Sequence, residues 1–467
     1  MKTFLARFGP LLLAIGALLA VYLPPVLAGR FWAPGDGIIQ VHPQRVLAGW
    51  ALRHGELPFW NPLMFGGLPF FANAQAGMLS PLSWPGYFLD VPGCANLTIA
   101  LGFMAMLGGL WAFTRALGLP PAARAAACMI FPLGGFLTAY SGNPAMQQAA
   151  ALLPWLLWAL ERHAQEARAR WLGAAGLLAA WIVLAGHPQT AAYALLVAGS
   201  FALVRGGLRD ALARAAALGL GVAMAAVQLL PTLDLIAASN RRVISYAWLT
   251  IYSVPPQALP THLFPLLFGA RAPSELFPVK LWAQIEWWGY MESFVGVVAW
   301  LLALVALGRA RERMVAFWAV VAATGLILSL GSYTPAYRLW ALLPFLKQMP
   351  YASRHGLELT FAVAILAAYG LAALQAEPAR TRAWLARATG VLGAGMAAVW
   401  LALLTYAPGF AARTQPYVDA ANGGLDMAWA LAPTQPAFWV PLALLLAAWA
   451  AARHRPALLL GLLAAEL

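Results

Sequence analysis

Asp36 stands between Gly35 and Gly37 in "APGDGIIQVHPQ" (33–44), directly after the first long apolar run of a chain with 16 acidic residues in 467. A carboxylate placed there can take a proton from a hydroxyl as a general base. It can equally cap a helix running on from Gly37, or remain a solvated loop carboxylate. Glu56 and Glu286 are further carboxylates, but neither belongs to a spacing that marks a metal site or an acid pair. His187 and Gln189 in "GHPQT" (186–190) can hydrogen-bond sugar hydroxyls, although plain interfacial solvation is the commoner use of such side chains. Arg354 and His355 in "MPYASRHGLELT" (349–360) lie at the mouth of a later apolar run. A guanidinium pairs in bidentate fashion with an anionic lipid phosphate, and snorkelling to the headgroups is the rival explanation.

The elements that must position these residues are membrane spans. The chain is 62% hydrophobic and 10% charged, too apolar for a soluble domain, where about a quarter of residues are charged. Runs of about the 20 residues a span needs lie near 8–28, 96–114, 125–141, 144–160, 171–187, 189–204, 215–233, 288–307, 314–331, 357–375, 389–406, 437–452 and from 456 onward. This is an all-α polytopic membrane protein of about 13 transmembrane helices, expected as a single integral membrane domain over 1–467. The last run is short for a span, so the natural chain is expected to continue past Leu467. The first run could also serve as a removable signal cut after Val26-Leu27-Ala28, but its length favours a span.

The net charge of +13 is topological. Six basic clusters, at 115–124, 161–170, 205–214, 308–313, 379–387 and 452–455, hold with Lys2 and Arg7 18 of the 29 Lys and Arg. With the N-terminus cytoplasmic, every cluster falls on the cytoplasmic side, as the positive-inside rule requires. That pattern argues against nucleic acid and for a multi-pass membrane protein. The other side receives the long loops 29–95, 234–287, 332–356 and 407–436, and with them most of the carboxylates outside the basic clusters. Cys94 and Cys128 are too far apart for a CxxC motif, and no disulfide is expected because Cys128 belongs inside a span and Cys94 outside one. No GxxxxGK[ST], HExxH or GxGxxG unit is present, so nucleotide hydrolysis is not expected.

The first long loop is unusually patterned. In 43–55, Pro43 opens and Gly55 closes a short amphipathic helix, with Val46, Leu47, Trp50 and Ala51 on one face and Gln44, Arg45, Arg53 and His54 polar. "LPFWNP" and "GGLPFF" follow as aromatic turns able to line a groove through Trp60 and Asn61, or merely to anchor the loop at the interface. Here the sequence resembles the bacterial YfhO-type membrane proteins, placed among the GT-C glycosyltransferases. The matching positions are Asp36, then Gly55, Pro58, Trp60, Asn61, Pro62, Gly67 and Pro69, then Leu79 to Leu82. Stretches at 141–160, 186–196 and 351–371 agree further, so the resemblance spans essentially the whole chain.

The resemblance implies a GT-C-like bundle with a long, partly helical first extracytoplasmic loop. It implies a sugar donor carried on a polyprenyl phosphate, used on the non-cytoplasmic face, and an acceptor that is an envelope lipid or polymer. It maps the class's first-loop carboxylate, a base or metal ligand, onto Asp36. Arg354 and His355 would hold the donor phosphate, with Glu56, Trp60, Asn61, His187, Gln189 and Glu286 lining the substrate groove. Where many GT-C enzymes carry a second acidic residue this chain has Ser141-Gly142-Asn143. A divalent cation therefore has little to hold it, and no cofactor is expected. A flippase for lipid-linked glycans and a non-catalytic scaffold of the same fold are the competing readings; few mid-span charges and no paired halves favour the enzyme.

Overall fold

The computed structural model describes residues 2–33, 37–242, 244–267, 293–343, 345–422 and 426–467, without the side chains of 2–7, 414, 417–422 and 427. Asp36 and Glu286 lie outside the described residues. The fold is all-α, 78% helical with almost no sheet. Helices occupy the described parts of the expected apolar runs. Six of these helices are long and apolar enough to cross a membrane, among them Phe8–Leu27, Val91–Ala116 and Ala352–Ala376, and a bent pair, Leu208–Met224 with Ala226–Ala237, makes up to seven. Five other apolar helices have 10–17 residues and reach less than the roughly 30 Å of a hydrocarbon core at about 1.5 Å per residue.

The chain divides into two compact units, Met1–Leu133 with Leu137–Leu249 and Trp340–Pro350, and Gly134–Phe136 with Thr250–Leu339 and Tyr351–Leu467. Unit one contains α1 (Lys2–Leu27), α2 (His42–Arg53), α3 (Val91–Ala116), α4 (Pro121–Leu133), α6 (Pro144–Glu166), α7 (Ala169–Leu184), α8 (Pro188–Val204), α9 (Leu208–Met224), α10 (Ala226–Ala237) and the single turn α11 (Tyr246–Leu249), with α5 (Gly135–Ala139) at its boundary. Three of its helices start alike, with a polar capping side chain followed by proline in the first turn. Asp90 accepts from the Gly93 N–H at 2.9 Å, Asn143 from Met146 at 3.2 Å and His187 from Thr190 at 3.2 Å. Each satisfies a donor the helix leaves open, and Pro lacks the N–H that would otherwise be orphaned.

Small residues then let helices approach. A Cβ on Gly108 or Gly109 of α3 would lie 2.9 or 2.8 Å from the Trp155 ring of α6, whose indole N–H donates to the Ala105 carbonyl at 2.6 Å. Between α7 and α9, Gly176 and Gly221 do the same. Without a hydrophobic force between helices in lipid, such close approach supplies the packing. On the basic-cluster side, the fully buried Glu161 takes Arg205 in a two-bonded pair at 2.5 and 2.6 Å, and Arg214 donates to His163 at 3.1 Å.

Unit two holds α12 (Val297–Ala306), α13 (Arg313–Ser329), α15 (Gly356–Ala376), α16 (Pro378–Asn422), α17 (Met427–Ala430), α18 (Pro436–His454) and α19 (Leu459–Glu466), with α14 (Ala336–Trp340) ending at its boundary. The α15 helix is buried along nearly its whole length and is packed by α12 and α13, with Gly325 and Gly370 at the close approaches. Glu466 caps α12: its carboxylate accepts from the Val297 N–H and, at 2.9 Å, from Val298. One expected boundary is overturned. The outer loop expected from 407 is helix as far as Asn422, because α16 runs unbroken for 45 residues through Pro408 and Pro416. Proline removes one backbone bond but does not compel a stop when the flanking residues, here alanine-rich, are helix formers.

Candidate functional site

The first loop folds inward. After a π-turn over Gly37–Val41 comes α2, then a two-residue ladder in which β1 (Trp60–Asn61) pairs antiparallel with β2 (Leu68–Pro69), Trp60 opposite Pro69. α2 buries a mixed face, in which its polar N-terminal residues sit beside Ala48 and Ala51. His42, Gln44 and Arg45 are 3%, 3% and 1% exposed, whereas Val46 and Trp50 are 39% and 50% exposed. The helix turns its polar N-terminal residues into the protein and leaves valine and tryptophan for an apolar exterior. Exposed apolar side chains of that kind suit a helix lying against lipid.

What receives those side chains is a buried polar cluster. Arg45 donates through Nη1 to Ser83 Oγ at 2.6 Å; Ser80 and Ser83 both donate to Gln148 Oε1 of α6. Asn73 donates to Gln44 at 3.3 Å, and Gln40 to Gln75 at 3.3 Å. From α10, Gln228 donates to the Phe71 carbonyl and Thr232 to that of Ala72, both at 2.8 Å. Tyr87, 1% exposed, donates to the Gly77 carbonyl at 3.1 Å. Burial raises its phenol pKa, against the nearby Arg45 charge that pulls it down. Burial, and secondarily that same charge, push His42 down to about 4, so its imidazole is neutral at neutral pH.

Two outer turns close on the loop through glycines. A Cβ on Gly37 would meet the Gly142 carbonyl oxygen at 2.8 Å, and one on Gly186, with φ at +101°, would meet Gly77 Cα at 2.8 Å. The GHPQT turn is therefore covered rather than open to water: His187 and Gln189 are 2% and 5% exposed. His187 bonds Thr190 Oγ1 at 2.8 Å as part of its cap, and Gln189 donates to the Pro350 carbonyl at 2.6 Å and Tyr193 Oη at 2.9 Å. Asn61 is likewise buried, accepting from the Leu63 N–H at 2.9 Å in a turn, while the Trp60 ring lies over Gly67. Glu56 is exposed on the outer surface of the loop.

Arg354 and His355 belong to unit two. Arg354 is half-buried with its guanidinium 4.3 Å from the Tyr351 ring centre, and Tyr351 stacks on Tyr252 at 5.1 Å and 22°. Both tyrosines have left-handed backbones, φ of +72° and +58°, a strained state for residues with a side chain. The Tyr252 carbonyl accepts from the Ser353 N–H at 3.2 Å, tying the two strands of this platform together. His355 is fully buried and paired through Nδ1 with Glu358 at 3.0 Å. Among the described residues no three His, Cys, Asp or Glu side chains gather as a metal set would require.

Sequence reasoning singled out Asp36 and Arg354 but not Arg45, Gln148, Ser80, Ser83, Tyr252 or Tyr351. The one available signal was "MQQ" (146–148), two amides inside an apolar run. No protein-family model matches the chain, and no curated protein matches it. Among solved structures it is similar to ArnT from Cupriavidus metallidurans in the apo state, at 16% sequence identity and a TM-score of 0.45, over 97% of this chain and 75% of that one. So slight a likeness leaves the site to be read from its own side chains.

Proposed function

We propose that the protein is an integral membrane glycosyltransferase of GT-C type. It moves a sugar from a polyprenyl-phosphate donor to an envelope lipid or polymer on the non-cytoplasmic face of the bacterial inner membrane. The observation that carries this reading is the inward fold of the first loop, whose polar residues are buried against α6 and α10 beside the 186–190 turn while α2 offers Val46 and Trp50 to lipid. Such a loop brings a polar interior next to a surface that a prenyl chain can follow. The resemblance of the 36–82 motif to YfhO-type proteins supports it.

In the proposed chemistry Asp36 takes the proton of an acceptor hydroxyl. The hydroxyl oxygen bonds to the anomeric carbon as its bond to the donor phosphate oxygen breaks, and polyprenyl phosphate leaves with that electron pair. Arg354 holds the phosphate, where a positive charge stabilises the leaving group, while His355 is buried against Glu358. Arg354→Lys keeps the charge but loses the planar fork, so it should weaken donor use, seen as a raised KM for donor, while leaving folding intact. Trp60 and Glu56, exposed on the first loop, together with Glu286 serve as positioning groups, whereas Asn61, His187 and Gln189 are spent on turns and caps within the fold.

Purified protein incubated with labelled polyprenyl-phosphate sugars tests the whole. Label should pass to a second molecule. A second reading, movement of a lipid-linked glycan across the bilayer, draws on one observation: α9 and α10 meet at a 66° bend, as broken transporter helices do. Label that crosses vesicles without changing its covalent carrier would replace the first reading with this one.

A further inference from the structure

From Leu57 to Leu89 the first loop contains no Asp, Glu, Lys, Arg or His. A stretch of that length in water would be about a quarter charged. Much of its apolar surface is nevertheless uncovered. Leu63 and Phe65, in the turn between β1 and β2, are 81% and 92% exposed, more than any other large apolar side chain among the described residues. Phe59, Trp84 and Phe88 are half exposed or more. The turn is shaped to hold its tip out. Phe65 has φ of +53°, strained for a residue with a side chain, and Gly66 and Gly67 follow at +75° and +115°. A Cβ on Gly67 would come within 2.5 Å of the Trp60 ring, so the bend is tight. Pro62 has no N–H, the Leu63 N–H donates to Asn61 Oδ1, and the Gly67 N–H donates to the Met64 carbonyl at 2.8 Å. The turn thus meets part of its own backbone demand, as a solvent poor in hydrogen-bonding partners requires. At the base of the hairpin, Phe70 shares one hydrophobic cluster with Cys94 in the first turn of α3. The tip therefore projects from beside the end of a helix long and apolar enough to span a membrane.

We propose that the Leu63–Phe65 tip inserts into the bilayer and anchors the first loop there. Lipid is the occupant because the uncharged stretch runs directly into a span: exposed Phe88 and Leu89 lead to exposed Val91 at the start of α3. A protein partner docking from water would meet a rim of polar and charged side chains. Here the charges stop at Glu56 and resume only at Asp90. The polar backbone of the turn sets the depth, at the boundary of headgroups and acyl chains, about 5–10 Å in. Anchoring of this kind needs no sugar transfer. A tip found in lipid on a protein that moves no sugar keeps this inference and loses the preceding one.

The test uses the full chain in phosphatidylcholine nanodiscs, which leave both membrane faces open to solutes. Cys94 and Cys128 are free but buried, so an environment-sensitive NBD fluorophore can be attached to Leu63→Cys, Phe65→Cys or, as the reference in water, Asn240→Cys. All three sites are exposed, so each variant should fold and unfold as wild type does. Lipid brominated on its acyl chains near the glycerol should quench the labels at 63 and 65 and spare the one at 240. Aqueous iodide should quench the label at 240 and lose most of its effect at the other two, whose emission should also shift to the blue. Iodide quenching at 63 and 65 as strong as at 240 would put the tip in water and overturn the proposal. Labels shielded from both quenchers would overturn it as well, since a second copy or another part of the chain would then cover the tip in place of lipid.

Discussion

Asparagine caps a helix about as well as aspartate but cannot accept a proton, so Asp36→Asn separates the two roles open to that residue. As a general base its loss should lower turnover by about 10²–10⁴, with protein level and lipid binding unchanged. As a cap for the turn that begins at Gly37, its replacement should leave activity whole, and that result would sink the catalytic assignment. His42 makes a prediction of another kind. Its folded pKa, about 4, lies below the usual 6.5, so protonation favours the unfolded chain. The stability this neutral histidine contributes is present above pH 6.5 and is lost as pH falls from there toward 4. At 1.36 kcal/mol per pKa unit the loss is on the order of 3 kcal/mol. Unfolding midpoints taken across that window should fall with pH in wild type and flatten in His42→Gln.

Helices in this chain are tuned by what their glycines face. Gly109→Ala in α3 puts a methyl 2.8 Å from the Trp155 ring and 3.0 Å from Pro154, so overpacking should cost about 1–3 kcal/mol. Gly199→Ala in α8 meets nothing within 4 Å and should instead stabilise, by about 0.4–1 kcal/mol. Thermal unfolding of the two purified variants should move in opposite directions; equal shifts would mean that α3 and α6 repack freely. Much at this scale was legible beforehand. Asn143-Pro144 and His187-Pro188 announce helix starts because capping and proline chemistry are local. The burial of Gln44 and Arg45 was not legible, because amphipathic spacing gives two faces but not which one meets protein when the exterior is lipid. Nor was the run of α16 past Pro408, since proline is only a weak stop where neighbouring residues favour helix. The partner of Arg45 was hidden for a third reason: Ser83 lies 38 positions away and Gln148, which Ser83 bonds in turn, 103 positions away, and no local pattern links them.

At the scale of the whole molecule, the distribution of charge argues for an orientation that the proposed chemistry needs. Clusters such as 161–170 and 205–214 carry the arginines, and Arg168 is well exposed there, whereas Gly55 and Asn240 lie on the loops assigned to the opposite side. Both native cysteines are free and buried, so they give a thiol reagent little background. Single cysteines at Gly55, Asn240 and Arg168 can therefore be probed in intact cells with a membrane-impermeant maleimide. The first two should react at once, and the third only after lysis. The reason is energetic as well as statistical: cytoplasmic retention of Lys and Arg fixes the orientation of short loops during insertion, and reversing it would carry these basic clusters across the bilayer. The opposite labelling pattern would put the loop of Asp36 and Arg45 in the cytoplasm. A donor presented on the outer leaflet could not reach a base held there, and the transferase reading would fall with the topology.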